Sequence, residues 1–204
     1  MNKNITINYQ FYHWGPFLYS TKLNENSLNE LKKLCHKKPK KDHRKELAGL
    51  LRHEYQLDVN PVFNILQPYF FSYANSFTQY SHTPLGDNIE LKSCWVNYMT
   101  KFESNPIHIH DEDLSFVIFT EIPKNLNKEI EETASRSKPG CLTFLISLTK
   151  DKEFINGHSF IPEKGDFFIF PASLHHYVNP FKSEGERISI SGNLSITNNA
   201  SKKK

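Results

Sequence analysis

The order of apolar and polar positions divides this chain in two. Up to residue 81 apolar positions recur at helical spacing, and beyond residue 88 they alternate or gather in short blocks. In "SLNELKKLCH" (27–36), Leu28, Leu31, Leu34 and Cys35 share a helical face behind Ser27 as N-cap. In "DHRKELAGLLRHEYQL" (42–57), Asp42 stands as a cap and Leu47, Leu50, Leu51 and Tyr55 form a stripe, which predicts a second helix. Pro61 opens a third, aromatic-rich helical stretch that runs to about Tyr80. The turn-forming segment "HTPLGDN" (82–88) marks the boundary. Strands are predicted over 89–99, 114–122, 141–148, 165–171 and 187–196, all rich in β-branched and aromatic residues and separated by Pro, Gly, Asn and Lys clusters. Strands this short and this regularly spaced predict a sandwich or jelly roll, giving an α+β protein. The expected organisation is a mainly helical segment over 1–88 packed on the barrel, the barrel itself over 89–197, and a disordered tail over 198–204.

Composition narrows this picture only slightly. With 204 residues, 38% of them hydrophobic, the chain has material for one ordinary core. The net charge of +3 comes largely from "HKKPKKDHRK" (36–45) and "SKKK" (201–204). No aromatic residue is interleaved with those lysines to stack on bases, so solvated loops are expected there rather than a nucleic-acid surface. Cys35, Cys94 and Cys141 are odd in number and lack any CxxC pairing, which predicts reduced thiols and neither a disulfide framework nor a zinc knuckle. The N-terminus has no apolar signal region, and no run approaches the ~20 apolar residues of a membrane span, so a cytoplasmic protein is expected.

The candidate chemistry lies in three segments. In "NPIHIHDEDLS" (105–115) a strand projects residues two apart to one face, so His108 and His110 can enter a cavity together, with Glu112 next if the strand continues. Two imidazoles so placed can hold a first-row transition metal. "PEKGDFFIFPASLHHYVNPF" (162–181) has a tight turn at Gly165, an apolar strand, and then His175 and His176, which a barrel can return to the mouth of the first site. In "ERISISGN" (186–193), Arg187, Ser189 and Ser191 alternate with Ile188 and Ile190. A guanidinium beside a hydroxyl, both aimed into a barrel, is a receptor for a carboxylate.

His-x-His, a distal His176 and then Arg187-Ile188-Ser189 resemble the 2-oxoglutarate and Fe(II)-dependent oxygenases, whose pattern is His-x-Asp, a distal His and an Arg-x-Ser about ten residues on. The resemblance is closest to the oxygenases of this superfamily found in bacteria and marine phages. It runs from "WGPFLYSTKL" and "LAGLLRHEYQL" through "WVNYM" and the histidine segments to "RISISGN". It implies a double-stranded β-helix (jelly roll) with N-terminal helices on its outer face, where Ile188 and Ile190 need burial. It also implies His108, His110 and His176 as iron ligands, Arg187 and Ser189 on the distal carboxylate of 2-oxoglutarate, and Asn97 near the co-substrate.

The implied activity is a dioxygenase that hydroxylates a C–H bond with O2, converting 2-oxoglutarate to succinate and CO2. Its prime substrate stays open between a protein side chain, a metabolite and a nucleobase. The departure from the family pattern is His110 in the place of its carboxylate. The alternative register starts at His110 and takes Glu112 as the carboxylate; the first is preferred because "IHIH" reads as strand and "DED" as the turn after it. His176 is preferred to His175 as the distal ligand because Leu174 and Val178 flank it as in relatives. Two rivals remain: a cupin-type metalloprotein without 2-oxoglutarate, and a binding module that has lost catalysis. A cupin expects a glutamate where Leu114 and Ser115 stand and leaves Arg187-x-Ser189 without a purpose.

Overall fold

The computed structural model describes residues 15–35, 41–134, 138–146 and 157–198. Residues 36–40 and 201–204 of the two basic runs, the N-terminus to Trp14, the end of the strand predicted over 141–148 and all of the tail but Asn198 lie outside the described residues. Two antiparallel sheets face each other. The larger contains β1 (Tyr19–Lys22), β8 (Asp166–Pro171), β5 (Leu114–Glu121), β10 (Arg187–Thr197), β3 (Asn88–Met99) and β2 (Glu54–Gln56), in that spatial order. The smaller runs β4 (Asn105–His108), β9 (His175–Val178), β6 (Leu142–Leu145) and β7 (Gly157–Phe160). Strands distant in sequence pair side by side, as a jelly roll requires, and the expected α+β architecture is what the chain adopts.

Both faces of the larger sheet are covered, so its central strands β5 and β8 are buried almost throughout, with successive side chains entering opposite cores. Met99, Val117, Phe119, Phe168 and Phe170 point inward and meet Leu142, Phe144 and Val178 of the smaller sheet. Cys94, Val96, Tyr98, Phe116, Ile118, Phe167, Ile169 and Ile190 point outward. Two helices cover that outer face: α1 (Glu25–Leu34) through Leu28 and Leu31, and α2 (Val59–Ser81) through the stripe Val62, Leu66, Phe70 and Tyr73. Pro68 sits inside α2 on its exposed side, as does Asn64, whose carbonyl lacks the helical N–H that any other residue at 68 would offer. A short α3 (Leu126–Glu132) buries Leu126 and Ile130 in the core between the sheets. The three cysteines are buried, and none is in a disulfide among the described residues. Among the described residues no helix is long and apolar enough to cross a membrane.

Two of the expectations need correction. Helix α1 begins at Glu25, capped by Asn24, whose side-chain oxygen accepts from the Ser27 N–H at 2.9 Å; Ser27 is inside the first turn rather than at the cap. The helix expected over 42–57 does not form. Asp42 instead accepts from the Arg44 N–H at 3.0 Å, a 3-10 turn covers Arg44–Glu46, and Glu54–Gln56 pair with β3. The apparent stripe splits because Leu51 is drawn into the core between the sheets and Tyr55 against the helix-covered face, while Leu50 stays 67% exposed. Tertiary pairing at the sheet edge overrides the helical spacing. Strands β1, β4, β7 and β9 also exceed the five blocks predicted, although "IHIH" was read as strand.

Edge strand β2 carries Glu54 opposite Asn97, so both side chains face into the barrel. Glu54 is 1% exposed, its Oε2 has no hydrogen-bond partner, and burial, reinforced by the nearby Glu103, pushes its carboxyl from 4.5 up to about 7. A carboxyl raised in the folded state binds protons that the unfolded chain has already released. Its contribution is therefore intact below pH 4.5 and is lost as pH rises toward 7. Urea titrations from pH 4 to 8 are expected to show Glu54→Gln with a flatter decline across this window and greater stability than the parent at pH 8. At Gly192 a Cβ would lie 2.6 Å from the Ser93 carbonyl oxygen and 2.7 Å from the Phe116 ring. Gly192→Ala overpacks the centre of the sheet, and the expected loss by urea denaturation is about 1–3 kcal/mol.

Candidate active site

The histidines are assembled by strand pairing. His108 on β4 lies directly opposite His176 on β9, and His110, two residues past the end of β4, is fixed by its backbone N–H donating to the Ala172 carbonyl at 2.9 Å. The ring centroids are 4.2 Å apart for His108 and His176, 5.0 Å for His108 and His110, and 5.1 Å for His110 and His176. One nitrogen from each ring lies within 4.8 Å of the others. His108 Nδ1 donates to the Pro106 carbonyl at 2.7 Å, and His176 Nδ1 to the Leu174 carbonyl at 2.9 Å. A carbonyl can only accept, so each contact places the proton on Nδ1 and leaves the Nε2 lone pair free. This is the tautomer and outer anchoring that metal-ligating histidines use.

Burial holds all three imidazoles below their ordinary value, His110 at about 4 and His176 at about 3, so they are neutral donors near pH 7. Such a trio could hold a first-row transition metal.

Glu112 is not among them. Its carboxylate accepts from Ser195 Oγ, and Asp113 accepts from the Ile196 N–H at 2.7 Å. Two of the three acids after His110 thus fasten the turn to β10 instead of surrounding the histidines. His175 is on the opposite side of β9 from the buried His176, as expected for adjacent residues in a strand.

Below the histidines the cavity continues between the sheets to Arg187, Ser189 and Asn97, with Trp95, Met99 and Leu142 among its walls. Ser189 faces Asn97 across the β10–β3 pair, and Arg187 faces Met99. The Asn97 amide donates long hydrogen bonds to Ser189 Oγ at 3.4 Å and Ser191 Oγ at 3.3 Å, while its Oδ1 has no partner. Arg187 is 3% exposed. Its guanidinium lies 4.5 Å from the centre of the Phe119 ring, approaches Met99 Sδ at 3.9 Å, and leaves Nε without a hydrogen-bond partner. Burial pushes it below its ordinary value, since a desolvated cation is costly and no carboxylate pairs with it among the described residues. The residues fit the groups that the sequence pattern implies: an anchored imidazole trio for a metal, and at the cavity floor a buried cation with an unused donor for a carboxylate. All six candidate residues line this one cavity.

The sequence reading missed Asn105, which also lines this cavity, and Glu54 on the edge strand. For Glu54 the signal was present in the alternation of Glu54, Tyr55, Gln56 and Leu57, which competed with the helical spacing before it.

A family model described as "Putative 2OG-Fe(II) oxygenase" matches residues 93–193, the span from β3 to β10 that holds every candidate ligand. No curated protein matches the chain. Among solved structures the chain is similar to an oxidoreductase of the 2OG-Fe(II) oxygenase family from Burkholderia pseudomallei, at 14% identity and a TM-score of 0.57 over 89% of this chain and 85% of that one. It is also similar to a prolyl-4-hydroxylase from Pseudomonas putida (13% identity, TM-score 0.52, 88% and 92% covered). A third is the viral collagen prolyl hydroxylase of Paramecium bursaria Chlorella virus-1 in its 2-oxoglutarate complex (14%, 0.53, 87% and 94%). At such identities the structures speak for the fold, and the family match adds the motif-bearing strands. Through its barrel this chain belongs to the superfamily of 2-oxoglutarate-dependent Fe(II) oxygenases.

Proposed function

We propose that the protein is a dioxygenase that hydroxylates a C–H bond of its prime substrate while converting 2-oxoglutarate to succinate and CO2. In this reading His108, His110 and His176 hold Fe(II) through their Nε2 atoms. Arg187 and Ser189 receive the distal carboxylate of 2-oxoglutarate, and Asn97 orients that co-substrate with its free amide oxygen and its hydroxyl contacts. When bound, the iron would supply the oxidising power by activating O2, one oxygen atom going to succinate as 2-oxoglutarate is decarboxylated and the other to the hydroxylated carbon; the chain supplies position and dryness. Phe119, Phe168 and Phe170 line the inner face without offering a proton or a nucleophile, which keeps reactive oxygen chemistry away from polar groups. Nδ1 anchoring by Pro106 and Leu174 holds two rings in place before the metal arrives.

The observation that carries this reading is the buried Arg187 guanidinium, whose Nε has no hydrogen-bond partner, in the same cavity as three converging imidazoles. A metalloprotein that did not use a dicarboxylate would gain nothing from a lone cation at the cavity floor and would bear its desolvation cost.

Anaerobic titration of the metal-free protein with Fe(II) and 2-oxoglutarate tests the proposal through the weak visible charge-transfer band of the chelate. The parent is expected to show the band. Arg187→Ala is expected to weaken 2-oxoglutarate binding by about a hundredfold or more, because it removes one partner of a buried charge pair. Iron binding without the band would move the assignment to a metal-only protein of the cupin type, and binding of neither to a non-catalytic module. Arg187→Met is expected to abolish the band and yet to melt at a higher temperature than the ligand-free parent, since it replaces an uncompensated buried cation by an apolar chain of similar length.

A further inference from the structure

A second chamber, of about 360 Å3, opens on the outer side of the imidazole trio and shares Trp95, Asn105, His108 and His110 with the inner cavity. Its size is that of a pocket for a small molecule or a single side chain. Four carboxylates line it, Glu46, Glu54, Asp111 and Glu112, and no lysine or arginine does among the described residues. Acids alone do not make a site, because most such groups are solvated or already paired. Glu112 is engaged by Ser195, and Glu46 lies at the surface 3.4 Å from His43.

Glu54 differs. It is buried on the inward face of β2, faces this chamber, and has an Oε2 without a partner. The charged groups nearest to it are committed elsewhere. The Arg44 guanidinium is held by both oxygens of Asp42, and Glu103 accepts from the backbone N–H groups of Arg52 and Thr100. An inward charge on an edge strand can serve only to discourage pairing with another chain, but that role asks for a solvated group at the rim, and Glu54 is 1% exposed. Gly49 matters here: a Cβ at that position would lie 2.6 Å from Glu54 Oε1 and 2.4 Å from Leu51 Cδ1, so a side chain there would press on the carboxylate. Beside it, His43 and Trp95 pack at 5.8 Å between centroids and offer an aromatic wall, which suits a cation.

We propose that this outer chamber is the prime-substrate pocket and that it takes a compound bearing a cationic nitrogen, an ammonium or guanidinium, whose charge is received by the Glu54 carboxylate. The assignment rests on the oxygenase reading above, since that is what makes a chamber bordering His108 and His110 the place for the C–H bond to be oxidised. It narrows the substrate to amines and guanidines, whether free or carried on a lysine or arginine side chain. Entry of such a group compensates the buried carboxylate, so binding draws on an interaction the chain cannot make by itself.

The test uses matched probes on the full-length, metal-free protein: butylguanidinium against butylurea, and butylammonium against butanol, with dissociation constants from ligand-observed NMR at pH 8. Each cation is expected to bind at least about tenfold more tightly than its neutral partner. Glu54→Gln is expected to erase that difference, and Gly49→Ala, which sets a methyl group against the carboxylate, to reduce it; circular dichroism and a cooperative melt establish that each variant is folded. Agmatine and a capped Gly-Arg-Gly peptide, added as competitors, distinguish a free amine from a side chain. Equal binding of cation and neutral partner, a preference that survives both substitutions in folded protein, or binding of no probe overturns the proposal. The charge-transfer titration is read separately. Its failure removes the oxygenase reading while the probe series still decides the charge preference of the chamber.

Discussion

The pairing of β10 with β3 on one side and β5 on the other is the constraint on which the rest depends. A strand held on both edges cannot slip by one residue without exchanging its two faces. Its sequence makes those faces unequal: Arg187, Ser189 and Ser191 on one, Ile188, Ile190 and Leu194 on the other. The apolar face has to be covered, and α1 and α2 cover it. The polar face has to be enclosed with its groups turned to some use, and the smaller sheet encloses it. Fold and site are in this sense one solution to the two-sidedness of a single strand.

The same logic explains how the histidines meet. His108 and His176 are separated by 67 intervening residues in the sequence (109 to 175), yet β4 and β9 are antiparallel neighbours and place the two directly opposite. His110 does not depend on that strand; it is held by a backbone hydrogen bond to the segment just before β9. The trio is therefore tied at three backbone points, and two rings are also fixed in rotation by carbonyls two residues earlier in the chain. Main chain thus preorganises the three rings. If they hold the metal as proposed, a third imidazole in place of the family's carboxylate would leave the metal's charge balanced less by its ligands and more by what binds beside it.

Much of this was legible in the sequence, and the parts that were not share a cause. Strands β3, β5, β8 and β10 are buried on both faces, so their Val, Ile and Phe content announces them; so does the turn before β8, where Gly165 adopts φ +90°. Arg187 with Ser189, and His108 with His110, could be placed because period-two alternation fixes a face without knowledge of the partner strand, whereas Asn97 and the choice of His176 over His175 came from the family resemblance. The segment 42–57 misled because its leucines serve two different cores, Leu51 one and Tyr55 with Leu57 the other, and a one-dimensional stripe cannot show that its members part company. Cap position also depends on which side chain reaches the first turn, and Asn24 and Ser27 were equally eligible by type.

The misread segment is also the one that separates this chain from a bare barrel. β2 lengthens the large sheet by one edge strand and turns a carboxylate toward the imidazoles, so the N-terminal part reaches the site instead of only covering the sheet behind it. The site then has Arg187 at its floor and Glu54 in its outer chamber, and His108 and His110 border both cavities. Among the described residues Arg187 Nε and Glu54 Oε2 have no hydrogen-bond partner. In a barrel too narrow to hydrate both freely, each favours a ligand of opposite sign, and the two ends cannot exchange ligands without setting like charges together. On the proposed reading the polarity of the cavity orders the ligands, with a dicarboxylate at the Arg187 end and whatever is oxidised on the side of Glu54.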